Sequence, residues 1–175
     1  MPRVGIGYDV HPFADGRALV LGGEKLPGAR GLKGHSDADA LCHAIADALL
    51  GALALGDLGT HFPDSNPQWK DADSLQLLAH VNQHAVERGF GIVNIDSNVS
   101  LERPRLRDHV DAMREKLAST LVVDPSCVSV KAKTGEGLDA VGRGEAVTAQ
   151  AIVLLAPTSW FPGYDDDEPE NQTPV

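Results

Sequence analysis

The sequence predicts an α+β domain: a mixed sheet of four to five strands with helices on one face. Three observations support this. Segments at 3–11, 91–101 and 127–133 have strand character, and the first two alternate with a period of two. Segments at 36–55, 74–88 and 104–121 have helical character. The order β, ββ, α, α, β, α, β, β suits helices gathered on one side of a sheet. At 175 residues, with an apolar share of 42%, the chain is of single-domain size and long enough to bury a core.

Taken in order, Arg3 to His11 forms the first strand. Ala18–Leu21, the Gly22–Gly23 pair and Glu24–Leu26 form a short hairpin, and Gly28 to Gly34 is a glycine-rich connection. Ser36 suits an N-cap, with Asp39 three residues on, and the helix it begins runs to about Leu55 and stops at Gly56. Asp57 to Asp73, interrupted by Pro63 and Pro67, is a long irregular segment of the kind that is often functional. A second helix spans about Ser74 to Arg88. Its polar face carries Gln76, His80, Gln83, His84 and Glu87, so His80 and His84 are expected to be a solvated pair. His61 and His109 have no clear partner.

Pro104 is expected to start a third helix, with an apolar stripe of Leu106, Val110, Met113, Leu117 and Leu121 that ends at Asp124–Pro125. Cys127 to Lys133 is another strand. Thr134 to Gly144 is a loop with four glycines. Glu145 to Ala156 is apolar and β-branched enough for a final strand, with a helix as the alternative. Residues 1–156 thus form one domain. Residues 157–175 form a proline-rich, acidic tail expected to be disordered.

The formal charge is −10, and Asp165, Asp166, Asp167, Glu168 and Glu170 supply five of those negative charges. No basic stripe is present, so nucleic acid is an unexpected partner. No run of about 18 apolar residues occurs, so no membrane span is expected. The N-terminal segment lacks a signal-peptide core. Cys42 and Cys127 form no close pair, and a reduced, cytoplasmic protein fits.

Asp9 and His11 stand two apart on an extended segment and share a face. His43 lies in the first helix, with Asp39 and Asp47 one turn to either side. Two imidazoles and a carboxylate are a common catalytic zinc set with an open fourth position. The competing reading is a carboxylate at a strand end and a satisfied core histidine. Asp39 and Asp47 either orient His43 or cap and decorate the helix. In the later loop, glycines around Thr134 and Glu136 allow backbone N–H groups to approach phosphate oxygens, Lys133 adds charge, and Glu136 is an oxygen ligand suited to magnesium. The same glycines also suit simple turns.

In combination, G-Y-D-V-H (7–11), H-S-D-A-D (35–39), H-A-I-A-D-A-L-L-G (43–51), A-L-G-D-L-G (54–59), F-P-D (62–64), V-K-A-K-T (130–134) and G-R-G-E (142–145) resemble the 2-C-methyl-D-erythritol 2,4-cyclodiphosphate synthase family of the non-mevalonate isoprenoid pathway. The motifs occur in family order across residues 3–156. The resemblance implies a homotrimer with sheets packed around a threefold axis and active sites between subunits. It implies that 4-diphosphocytidyl-2-C-methyl-D-erythritol 2-phosphate is cyclised to the 2,4-cyclodiphosphate. The 2-phosphate attacks the β-phosphorus and CMP leaves, which makes the enzyme a phosphorus–oxygen lyase.

The same resemblance places zinc, or another divalent transition metal, on Asp9, His11 and His43. It places magnesium or manganese on Glu136 with the substrate diphosphate. His35 and Thr134 take the positions credited with stabilising the transition state, and Ser36 lies beside His35 in the substrate motif. Asp57, Leu58 and Gly59 match ribose and substrate contacts. Phe62, Pro63, Asp64, Ser65 and Asn66 match the loop over the methylerythritol part. Leu101, Arg103, Pro104, Arg105, Leu106 and Arg107 match the cytosine stretch. Lys133, Thr134, Gly135 and Glu136 match the nucleotide loop. Ala140 and Arg143 complete the substrate set, although Ala140 stands where many members have phenylalanine, and Asp139 where they have glycine. Two alternatives from other classes are a zinc-dependent phosphohydrolase and a non-catalytic trimeric nucleotide-binding module.

Overall fold

In the computed structural model, which describes residues 1–161, five strands form one mixed sheet. The strands are β1 (Arg3–Ala14), β4 (Gly31–Leu32), β5 (Phe90–Ser100), β6 (Val128–Lys133) and β7 (Ala146–Pro157), in the order β4-β1-β7-β5-β6. Only β5 and β6 run parallel. A separate hairpin pairs β2 (Leu19–Leu21) with β3 (Glu24–Leu26). The helices α1 (Ala40–Ala52), α3 (Ser74–Glu87) and α4 (Val110–Leu121) pack on one face of the sheet. The expected α+β architecture is present, and the segment that left strand or helix open forms strand β7 at Ala146–Pro157.

The first strand inverts ordinary patterning. Gly5 and Gly7 face α1, while Val4, Ile6, Tyr8 and Val10 face away and remain 66, 64, 56 and 47% exposed. The glycines are required by contact: a Cβ on Gly5 would stand 1.9 Å from the Ala48 carbonyl oxygen, and one on Gly7 2.0 Å from that of Ala44. The alanine-rich buried face of α1 completes this close approach. Because Asp9 and His11 have the same parity as the glycines, they point toward α1, and His43 in its first turn meets them.

Four expectations need correction. Helix α1 begins at Ala40 with Asp39, not Ser36, as its N-cap. Ala38 has a left-handed φ of 62°, which keeps residues 36–38 out of the helix. The Asp39 carboxylate accepts from Leu41 and Cys42 N–H and also from Gly22 and Gly23 N–H, so it fastens the hairpin to the helix. Helix α4 starts at Val110, because Pro104 lies in a bend at 102–104 and a 3-10 turn at Arg107–His109 intervenes. The His109 N–H bonds the Leu106 carbonyl across that turn, which leaves Leu106 buried with Met113, Leu117 and Leu121 as its spacing implied.

The segment 57–73 contains a short helix, α2 (Leu58–His61), capped by Asp57, and a 3-10 turn at Pro67–Trp69 capped by Asn66. Order also continues past the expected boundary at 156. Thr158–Trp160 form a 3-10 turn, Thr158 N–H bonds the Gly89 carbonyl, and the Phe161 ring covers Gly91. The remaining expected tail, 162–175, lies outside the described residues. No helix of the described residues is long and apolar enough to cross a membrane.

Candidate active site

Asp9, His11 and His43 meet where β1 crosses the start of α1. Asp9 Oδ2 stands 2.9 Å from His11 Nε2 and 2.9 Å from His43 Nδ1, and those two nitrogens are 3.2 Å apart. Ligand atoms on one face of a tetrahedron are roughly 3.3 Å apart when metal–ligand bonds are about 2 Å. The triangle therefore fits a tetrahedral divalent ion with a fourth position open, and these three residues could hold a metal ion.

Each corner is held from behind. The Lys33 carbonyl, 2.8 Å from His11 Nδ1, can only accept, so the proton sits on Nδ1 and Nε2 offers its lone pair. His43 Nε2 faces Ser74 Oγ at 2.9 Å and Ser36 Oγ at 3.1 Å, and Ser74 in turn donates to Asp37. Asp9 Oδ1 accepts from Val10 N–H. Burial alone would raise the Asp9 carboxyl. Without an ion between them, His11 and His43 carrying a second proton on the side that faces Asp9 would bond it, and with their charge hold it well below the usual carboxylate range. His11 is moved up: burial opposes its charge, and Asp9 overrides that.

Neither Asp39 nor Asp47 hydrogen-bonds the His43 side chain; both hold main-chain N–H groups instead. Asp39 turns back to its four N–H partners, and Asp47 Oδ1 accepts from Leu58 N–H at 2.7 Å, tying α2 to α1. Ser36 and Ser74 take the supporting position instead.

The metal residues floor a cleft of about 380 Å³. His35 and Ser36 form one wall. Asp57, Leu58, Gly59, Phe62 and Asp64 form another, joined by Trp69, Leu77 and Asp47. Pro63, Ser65 and Asn66 sit in the same loop without lining the cleft, and Asn66 instead caps the following turn. The Gly34–Ser36 turn is fastened by Arg17, whose guanidinium donates to the Gly34 carbonyl at 2.6 Å and to the Ser36 carbonyl. Arg17 went unnoticed in the sequence, as did Ser74 and Trp69. Their contacts are to main chain or to distant residues and leave no local motif.

The second group of expected residues lies elsewhere. Leu101, Pro104, Arg105, Leu106, Arg107, Lys133, Thr134 and Glu136 line a separate cleft of about 650 Å³ that shares no residue with the first. Thr134 Oγ1 donates to Glu136 Oε1 at 2.8 Å, and Gly135 N–H bonds the Glu102 carboxylate at 3.2 Å. Arg103 and Arg143 line a third cavity, which shares Glu102, Pro104 and Arg105 with the second. Ala140 lies in the short helix α5 (Asp139–Gly142) and lines none of these cavities.

The sequence matches the YgbB family over residues 2–156. It is 57% identical over 153 residues to a 2-C-methyl-D-erythritol 2,4-cyclodiphosphate synthase of Salinibacter ruber, covering 87% of this chain and 98% of that one. The enzyme of the same name from Chlorobium phaeobacteroides is 56% identical, over 87% of this chain and 96% of that one. Among solved structures, the bifunctional IspDF from Campylobacter jejuni superposes with a TM-score of 0.86 at 39% identity over 90% of this chain, which spans only 42% of that longer chain. A 2C-methyl-D-erythritol-2,4-cyclodiphosphate synthase in a CDP-bound form gives a TM-score of 0.81 at 36% identity, covering 88% of this chain and all of that one. With the metal triangle at the place its motifs require, the chain belongs to the YgbB family of cyclodiphosphate synthases.

Proposed function

We propose that this chain converts 4-diphosphocytidyl-2-C-methyl-D-erythritol 2-phosphate to the 2,4-cyclodiphosphate with release of CMP. The observation that carries the reading is the Asp9–His11–His43 triangle at the floor of a cleft, in a chain whose relatives bear that activity by name. Attack of one phosphate on another brings like charges together, so the catalytic task is to neutralise oxygens and align groups. A divalent ion on Asp9, His11 and His43 would supply Lewis-acid neutralisation of phosphate oxygens. His35, on the turn that Arg17 fastens, would donate to the reacting phosphate from the cleft wall. Phe62 and Trp69, packed edge to face at 4.9 Å, would exclude water from the methylerythritol end. Glu136, beside Thr134, would receive magnesium or manganese together with the diphosphate, and Lys133 would add charge.

A single chain holds the metal cleft and the Leu101–Glu136 cleft apart. The apolar row Val4, Ile6, Tyr8 and Val10, continued by Ile152, lies open beside them. A patch of this kind suits a subunit contact. A homotrimer would cover that face around the threefold axis and join one subunit's metal cleft to its neighbour's nucleotide cleft. The test is incubation of the purified protein with the substrate in ¹⁸O-labelled water, followed by phosphorus spectroscopy. CMP and a cyclic diphosphate free of solvent oxygen are expected. Solvent oxygen in an open product would identify a hydrolase instead.

A further inference from the structure

A second pair of imidazoles stands away from the metal triangle, and the arrangement repeats two of its features. His61, at the end of α2, and His84, in α3, have ring centres 5.4 Å apart at a tilt of 48°. His11 and His43 have theirs 5.3 Å apart at 63°. Two imidazoles sharing a tetrahedral zinc have centres about 5 Å apart, given metal–nitrogen bonds of about 2 Å.

The second shared feature is the lock on the far nitrogen. His61 Nε2 lies 3.0 Å from the Leu55 carbonyl oxygen, which can only accept, so that nitrogen carries the proton and Nδ1 keeps its lone pair. His11 is held in the same way by Lys33. On His84 the Glu87 carboxylate stands 3.7 Å from Nδ1, beyond hydrogen-bond length, but its negative charge on that side favours a proton there and leaves Nε2 as donor to an ion. His80 and His84, one turn apart in α3, have the spacing of a solvated pair on the polar face of that helix. In the structure His80 instead lies edge-on to Phe62 at 6.2 Å, and His61 takes its place as the partner of His84.

We propose that His61 and His84, with His84 oriented by Glu87, form a second, exchangeable site for a divalent transition-metal ion. Imidazole nitrogens select zinc, copper or nickel over magnesium or calcium. Among the described residues only Asp9, His11 and His43 bring three ligand atoms within 4.8 Å of one another. The second site therefore has two protein nitrogens, and water completes the shell. An ion there ties α2 to α3. Helix α2 carries Leu58 and Gly59 and leads into Phe62, all on the wall of the metal cleft, so occupancy would brace that wall.

The test is equilibrium dialysis of protein already carrying one zinc per subunit against increasing free zinc, with metal analysis. The expected result is a further equivalent in the wild type that is lost in His61→Ala and in His84→Gln. Glu87→Gln should weaken it about tenfold or more, the usual effect of removing an orienting carboxylate. His43→Ala should keep it, which separates the two sites, and the acidic tail is common to every variant. Absence of the additional equivalent in the wild type overturns the proposal, as does its survival in a His61→Ala, His84→Gln double variant. An equal loss in His80→Ala and His84→Gln, with His61→Ala unaffected, would assign the ion to the helix pair and overturn the proposal as well.

Discussion

Ser74 Oγ stands 2.9 Å from His43 Nε2 and passes a hydrogen bond on to Asp37, so a buried serine of α3 sets which nitrogen of a metal-binding histidine is free. With the proton held at Nε2, His43 Nδ1 faces Asp9 and His11. Ser74→Ala removes that hold without altering any of the three metal-binding residues. Zinc affinity should fall about tenfold or more, with Ser36 supplying what remains. Competition against a chelator measures it, and an unchanged affinity would show that Ser74 does not orient His43.

Arg17 is expected to position His35 rather than touch substrate. Its guanidinium bridges the Gly34 and Ser36 carbonyls from across the hairpin connection. Arg17→Met keeps the stem but frees the turn. Turnover should drop about tenfold or more while zinc content stays full, because misplacement near the reacting groups costs rate. Zinc loss in parallel with activity would instead mean that the turn supports the metal residues.

Part of this site was legible in the sequence. Asp9 and His11 carried their signal in a strand's period of two, and His43 in its helix. The direction of β1 did not, since ordinary patterning buries Val4, Ile6 and Tyr8 and exposes glycine. Contact with the alanine-rich α1 reverses this, and such contact depends on residues about forty positions away. Arg17 and Ser74 were hidden for a related reason. Arg17 bonds main-chain carbonyls, which every residue has, and Ser74 looks like any residue at a helix start. The separation of the two clefts is likewise a property of the assembled sheet, not of a local motif.

Val122 closes α4 in the left-handed region at φ 57°, with its side chain 87% exposed. A β-branched residue is strained there and gains nothing from burial. Val122→Gly should therefore stabilise the fold by about 1 kcal/mol, the relief of strain exceeding the added entropy of the unfolded chain. Chemical denaturation reads the change, and activity should be unaffected. A loss of stability would show that the valine makes a contact worth more than the strain.

Asp47 gives a stability effect with a defined sign. Burial is the largest cause of its raised pKa; the Leu58 N–H bond opposes the shift, and the charges of Asp57 and Asp9 add to it. A carboxyl raised above its unfolded value of 3.8 binds its proton more tightly in the folded state, so stability falls as pH rises from that value through the raised one. Above that window the cost is fully present. Asp47→Asn can still accept from Leu58 N–H and carries no charge. In chelator-treated protein it should melt higher than the wild type at pH 7, with the difference shrinking as pH falls toward the unfolded value. A constant difference across that range would mean the effect is not one of ionisation.

The proposal that two subunits share each site can be tested by complementation. Asp9, His11, His35 and His43 line one cleft, and Leu101, Arg105, Arg107, Lys133 and Glu136 line another with no residue in common. If the two meet only across a subunit boundary, a ring-closing contact must bring the first cleft of one copy to the second cleft of its neighbour. His43→Ala disables the first half, and a paired Arg105→Glu, Arg107→Glu change disables the second. Each variant alone should be inactive. After refolding together in equal amounts, a site works when its first half comes from the arginine variant and its second from the histidine variant. Each condition holds half the time, so about a quarter of sites should recover. Activity near that level, with trimers seen by light scattering, supports the shared site. If trimers exchange subunits and no activity returns, the two clefts do not act together across a boundary, and the trimeric reading of the site fails.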